Sequence, residues 1–166
     1  MATGNTLLIF GPTDNEPPST NYATLDTRNG HLVLDFDPGT DEAAIFSGIM
    51  PRHYAGGGVT VYLHVSASGI TSGDYIFDVS WERVGDGSQD VDSDGFATAN
   101  SLAATAVPAT DGHVDIVSIA FTDGAQMDSV ATGEKFRLKI SRDANNGSDT
   151  AAADIELHAV EIRETP

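Results

Sequence analysis

The sequence contains no cysteine, which removes disulfides and thiolate metal sites from its chemistry. Lysine is nearly absent: Lys135 and Lys139 are the only ones, and Lys+Arg totals 8 against 25 Asp+Glu. The net charge is −17 with histidine neutral. Such a surface repels phosphate backbones and anionic lipid, so neither nucleic acid nor a membrane is an expected partner. Repulsion of that size is screened in salty water. No stretch approaches the ~20 apolar residues of a membrane span. The apolar run Leu7–Phe10 has no basic residue before it and is too short for a signal peptide, so export by that route is not expected.

Catalytic signatures are missing as well. There is no His-Glu-x-x-His, no Gly-x-Ser-x-Gly elbow, no phosphate-binding loop and no dinucleotide fingerprint. His31, His53, His64, His113 and His158 share no close ligand spacing, so zinc is not expected. Asp35 with Asp37, and Asp78 with Glu82, offer paired carboxylates. A glycosidase also needs a cleft and one carboxyl of raised pKa, and neither is readable from sequence. No catalytic residue is assigned.

What the sequence does contain is strand pattern. Val59, Val61, Leu63 and Val65 alternate with Thr60, Tyr62, His64 and Ser66. Tyr75, Phe77, Val79 and Trp81 alternate with Ile76, Asp78, Ser80 and Glu82; Phe136, Leu138 and Ile140 with Arg137, Lys139 and Ser141; and Leu32, Leu34 and Phe36 with Val33 and Asp35. This period of two marks strands with one buried face. Val114–Phe121 reads as a further strand. At the C-terminus, Ile155 and Leu157 keep one parity and Val160 and Ile162 the other, which predicts a β-bulge near His158. Turn signals punctuate the runs, among them Asp37-Pro38-Gly39, Gly56-Gly57-Gly58, Gly85-Asp86-Gly87 and Asn145-Asn146-Gly147. The pattern predicts an all-β, two-sheet antiparallel sandwich, jelly-roll-like, of about eight strands. Ala97–Ala109 reads as a short helix or a strand crossing between sheets.

Residues 1–30 differ in texture. Gly11–Asn21 is proline-rich, polar and extended. We divide the chain into an N-terminal arm with the first strand, 1–30, and a sandwich domain, 31–166. The arm either reaches a neighbouring subunit or packs on its own domain.

Two sets of residues are candidates for binding. Asp90-Val91-Asp92-Ser93-Asp94-Gly95 places Asp90, Asp92 and Asp94 at alternate positions before a glycine, as in a calcium loop. The twelfth position is Ser101 where an EF-hand needs glutamate, so calcium is the only cofactor considered and the alternative is a solvated acidic loop. The second set is the arm residues Asn15, Glu16, Pro17, Pro18 and Tyr22 with Arg52 and Tyr54, as contacts to a partner. Tyr22, Tyr54 and Tyr62 are candidate surface aromatics. Trp81 continues a buried parity and is expected in the core.

Several blocks carry a resemblance. Asp14–Pro18, Asn21–His31, Pro51–Gly58, Ala67–Gly73, Phe121–Asp128, Phe136–Asp143 and Val160–Thr165 together resemble a pattern recurring in small proteins from the structural regions of tailed bacteriophages and prophages. The resemblance implies a virion protein with a jelly-roll-like sandwich, either decorating the capsid or forming part of a tail or fibre; the first reading is a non-enzymatic capsid decoration (cement) protein, placed on the outer surface of the capsid by its negative charge and expected as a homotrimer from the local three-fold symmetry of a shell. Its partners would be the major capsid protein and further copies of itself. Two other readings stand beside it: a tail-fibre or receptor-binding module, and a carbohydrate-binding adhesion module.

Overall fold

The computed structural model describes residues 4–165; Met1–Thr3, which open the predicted arm, and Pro166 lie outside the described residues. The chain forms β1 (Thr6–Phe10), β2 (Thr24–Arg28), β3 (His31–Phe36), β4 (Ala43–Ile49), β5 (Val59–Ala67), β6 (Asp74–Tyr75), β7 (Phe77–Val84), β8 (Asn100–Ser101), β9 (Thr105–Ala106), β10 (Asp115–Phe121), β11 (Lys135–Arg142) and β12 (Ile155–Glu164). Two short 3-10 turns, at Pro12–Asp14 and Ala125–Met127, are the only helical segments among the described residues. The all-β, antiparallel two-sheet sandwich is as the alternation predicts.

One sheet runs β10-β5-β12-β3-β2, with β1 also on β12; the other runs β4-β11-β7-β8. β6 and β9 form a separate two-stranded ribbon. β12 is the spine of the larger sheet. Its first residues, Ile155–Leu157, pair with β3, and its later ones, Val160–Arg163, pair with β1. The register against β5 slips between Leu157 and Ala159, so the predicted bulge at His158 is present. It re-aims the strand so that Ile155, Leu157, Val160 and Ile162 all face inward, each at 0–1% exposure. The inner face of the smaller sheet supplies Phe77, Val79, Trp81, Phe136, Leu138 and Ile140, all fully buried. Trp81 sits 4.8 Å from the Phe136 ring centroid and 6.0 Å from that of Phe121 on the opposing sheet. Burying such rings against each other contributes the largest apolar areas in the core.

Three expectations change. The 30/31 boundary falls inside the β2–β3 hairpin, whose turn, Asn29-Gly30, takes the paired positive φ values (48° and 81°) of a type I′ connection. Ala97–Ala109 holds two short strands: β8 pairs with β7 and β9 with β6. The strands number twelve rather than about eight, because β6, β8 and β9 are two-residue strands too short to show a period, and β2 and β4 lack the alternation that a sequence pattern detects. β2 is exposed along its length, and β4 begins with four consecutive buried residues.

Candidate functional site

The N-terminal segment is built by local hydrogen bonds. The Gly11 N–H donates to Asp14 Oδ2 (2.7 Å) and closes the 3-10 turn. Asn15 Oδ1 then accepts from the Ile45 N–H (3.0 Å), and the Glu16 N–H donates to the Ile45 carbonyl (2.7 Å). Glu16 Oε2 accepts from Ser47 Oγ (2.8 Å). Asn21, at φ 51°, turns the chain back so that Asn21 and Ala23 bond the backbone of Ala43. The arm is therefore docked on the free edge of β4 of its own domain, the second of the two arrangements expected from its sequence, with backbone hydrogen bonds to Ala43 and Ile45.

This docking leaves a groove of ≈350 Å³ between the arm and the β2–β3 hairpin, lined by Pro12, Thr13, Asn15, Pro17, Tyr22 and Leu25 among others. Tyr22 and Leu25 stand 50% and 52% exposed at its rim. Three of the predicted contact residues, Asn15, Pro17 and Tyr22, thus share one site. Glu16 is committed to Ser47, and Pro18 lies outside the groove lining. The arrangement sets flat apolar surface, from a phenol ring and two prolines, beside hydroxyl and carboxamide groups. That combination matches a ligand with one apolar face and a polar perimeter.

Arg52 and Tyr54 do not join it. Tyr54 is buried, not a surface aromatic. Its hydroxyl donates to Asp123 Oδ1 (2.8 Å) and accepts from the Gly58 N–H (2.9 Å), and burial beside Asp123 pushes its pKa up to about 12. It pins the loop before β5 rather than meeting a partner. Arg52 is exposed and makes no ion pair among the described residues.

The acidic loop is a turn closed on its own backbone. Asp90 closes its own turn: its Oδ1 accepts from the Asp92 N–H (3.1 Å), and its carbonyl accepts from Ser93 and Asp94. All three carboxylates are exposed. Among the described residues no group of three carboxylate or imidazole side chains is placed to hold an ion. Asp90 thus bonds the backbone of its own turn, while the Asp92 and Asp94 carboxylates face outward from it.

Sequence reasoning missed a polar network on the outward face of the larger sheet. The Arg28 guanidinium joins Glu156 (2.5 Å) and Asp111 (2.7 Å) and donates to the Ala67 carbonyl. Ser66 Oγ donates to Glu156 Oε2 (2.6 Å) and lies 2.8 Å from His158 Nε2. This is not a nucleophile–base pair, because the carboxylate takes the serine proton, no carboxylate orients the imidazole, and Ser66 is only 2% exposed. Burial depresses the His158 pKa. Asp35 stands opposite Glu156 in register, with one buried carboxyl oxygen unpartnered. Burial first, and then Glu156, Asp154, Asp26 and Glu42, raise its pKa to about 6.

No family model matches the sequence, and no curated protein matches it. The fold has counterparts among solved structures. The chain is similar to the CBM22-2 xylan-binding domain of Xyn10C from Paenibacillus barcinonensis, at 12% identity and a TM-score of 0.53 over 92% of each chain. It is similar to the xylan-binding module CBM15, at 10% identity and a TM-score of 0.50 over 96% of this chain and 97% of that one. It also matches the CBM22-1–CBM22-2 tandem of the same Paenibacillus protein, at 12% identity and a TM-score of 0.52 over 99% of this chain and 51% of the tandem. The protein has the β-sandwich jelly-roll fold of carbohydrate-binding modules.

Proposed function

We propose that this protein is a non-catalytic glycan-binding module that holds a neutral polysaccharide in the groove beside the N-terminal arm. The observation that carries the reading is the half-exposed Tyr22 ring at the rim of a groove walled by Pro12 and Pro17 and edged by Thr13 and Asn15. A pyranose presents C–H groups on its faces and hydroxyls around its edge. The tyrosine and proline surfaces complement the faces; the threonine and asparagine groups complement the edge. Xylan binding by modules of the same fold supports the reading. The serine–imidazole contact is wired for structure rather than turnover, which supports a holding role.

The test is affinity electrophoresis and calorimetry against soluble xylan, mixed-linkage glucan and laminarin. At least one should bind, and Tyr22→Ala should weaken it about tenfold, the loss of one central aromatic anchor. Absence of binding to every glycan, or unchanged binding by Tyr22→Ala, would sink the assignment.

A second reading, decoration of the outer surface of a phage capsid, is favoured by the charge of −17. That charge belongs outside a shell that encloses DNA. Arg52, exposed and without a carboxylate of its own, would then meet an acidic patch on the major capsid protein. Cosedimentation with assembled shells, lost in Arg52→Glu, is its expected signature.

A further inference from the structure

The smaller sheet has an outward face that is only partly open to solvent. In register, Lys139 lies between Ile45 on β4 and Ser80 on β7, and Arg137 lies between Ser47 and Glu82. All six point away from the core. Yet Ile45, Ser80 and Glu82 are only 3%, 2% and 4% exposed. The cover includes Phe96, whose ring centroid is 5.1 Å from the Arg137 guanidinium carbon and 4.9 Å from Lys139 Nζ. Phe96 ends the acidic loop Gly85–Gly95, and the next residue, Ala97, donates its N–H to the Trp81 carbonyl on β7 (2.8 Å).

Two features of this face are unspent. Ser80 Oγ is buried with no hydrogen-bond partner, a condition that costs stability unless something uses it. Lys139 forms no ion pair among the described residues, in a chain with 25 acids. Arg137 is neutralised by Glu82 at 2.7 Å, so the face carries one uncompensated positive charge, that of Lys139. The Phe96 ring itself is held over the cations by cation–π contacts, worth about 0.5–2 kcal/mol at partly exposed sites. Its stem is rich in glycine and aspartate, with Gly85, Gly87 and Gly95 in eleven residues.

From these observations we infer that the outward face of the smaller sheet is a second saccharide site, specific for a uronate residue and closed by Phe96. The inference rests on the glycan-binding reading but uses different residues. Ile45 supports the apolar face of the sugar, Glu82 accepts from its hydroxyls, Ser80 bonds to its edge, and Lys139 pairs with its carboxylate. Phe96 occupies the same space when the ligand is absent, so the measured affinity is the intrinsic one reduced by the fraction of molecules with the lid displaced.

Calorimetry with trigalacturonate and with xylohexaose, on the full chain, tests this. Trigalacturonate should bind; Lys139→Gln should weaken it at least tenfold and leave any xylohexaose binding unchanged. Phe96→Ala should tighten trigalacturonate severalfold, because the competing ring is gone, and its unaltered circular dichroism would show that the sheet survives. Tyr22→Ala should not affect trigalacturonate. Xylohexaose binding without trigalacturonate binding would overturn this inference and leave the neutral-glycan site standing. Trigalacturonate binding that ignores Lys139→Gln, or that weakens in Phe96→Ala, would overturn the lid and its site. Binding of neither sugar overturns this second site, and the failure of every glycan overturns both readings.

Discussion

At the scale of single residues, the most informative side chain is Asp35. The β2–β3 hairpin and β12 bring it against Glu156 on a face where Arg28 already serves Glu156 and Asp111. With one oxygen buried and unpartnered, the carboxyl holds its proton to about pH 6 against an ordinary value of 3.8. The sign of the effect on stability follows by linkage. Below pH ~4 the group is protonated in both the folded and the unfolded chain and contributes no penalty. Between about 4 and 6 the unfolded chain loses the proton first, so stability falls as pH rises; above 6 the penalty is constant. Asp35→Asn removes the titration. The variant should match the parent at pH 4 and exceed it at pH 7.5 by about 1 kcal/mol, a figure discounted for the solvent that reaches the partly exposed carboxyl. Thermal melts of both proteins at the two pH values decide it, and a difference independent of pH would show that folding leaves the Asp35 pKa unchanged.

At the scale of elements, the two sheets are tied by one cation. Arg142 ends β11 with an inward side chain at 0% exposure. It pairs with Asp149 through Nη2 at 2.8 Å and Nε at 3.1 Å, and donates to the carbonyls of Phe36, Ala151 and Ala153. β11 belongs to the smaller sheet and Phe36 ends β3 of the larger one, so a single guanidinium joins the layers and satisfies the carbonyls of the loop before β12. Arg142→Met keeps the volume but leaves Asp149 buried without its charge partner. The expected loss is about 3–5 kcal/mol in urea unfolding; a loss under ~1 kcal/mol would mean that water replaces the guanidinium. In sequence, Arg142 is visible only as the last residue of an alternating run, in a position where an apolar residue is expected. The same logic decides which elements were legible. β5, β7, β11 and the bulged β12 face core on one side, and their parity exposes them. β4 is covered on both sides, by the core and by the layer outside Ile45, so its pattern is a continuous apolar block. Tyr22 was legible as an aromatic in a polar, proline-rich segment. Tyr54 had the same signature, but its burial depends on Asp123, far along the chain. The signal for Phe96 was a lone aromatic after an Asp/Gly run, and only the fold shows that it lands on the face carrying Arg137 and Lys139.

At the scale of the whole molecule, the charge balance governs stability as well as partners. Five of the six arginines form ion pairs within the domain: Arg28, Arg83, Arg137, Arg142 and Arg163. The cations are thus largely spent on internal structure, and most of the 25 acids are left without an ion-pair partner among the described residues. Four of the carboxyls that crowd together near the ends of β3 and β12, namely Asp35, Glu42, Asp154 and Glu156, illustrate the cost: the first three have raised pKa values, with burial as the leading cause and neighbouring acids adding to it. Compaction concentrates this repulsion, and salt relieves it, since the screening length falls from about 30 Å at 0.01 M to about 3 Å at 1 M. At pH 7.5 the melting temperature should therefore climb between 20 mM and 1 M sodium chloride by at least 2–4 °C, roughly the response of a domain this size to 1 kcal/mol. At pH 4, where many carboxylates are partly protonated, the climb should shrink. The paired measurement separates charge screening from a general salting-out of apolar surface, which would raise both melts alike. Equal slopes at the two pH values would show that the −17 is too widely dispersed over the surface to strain the fold.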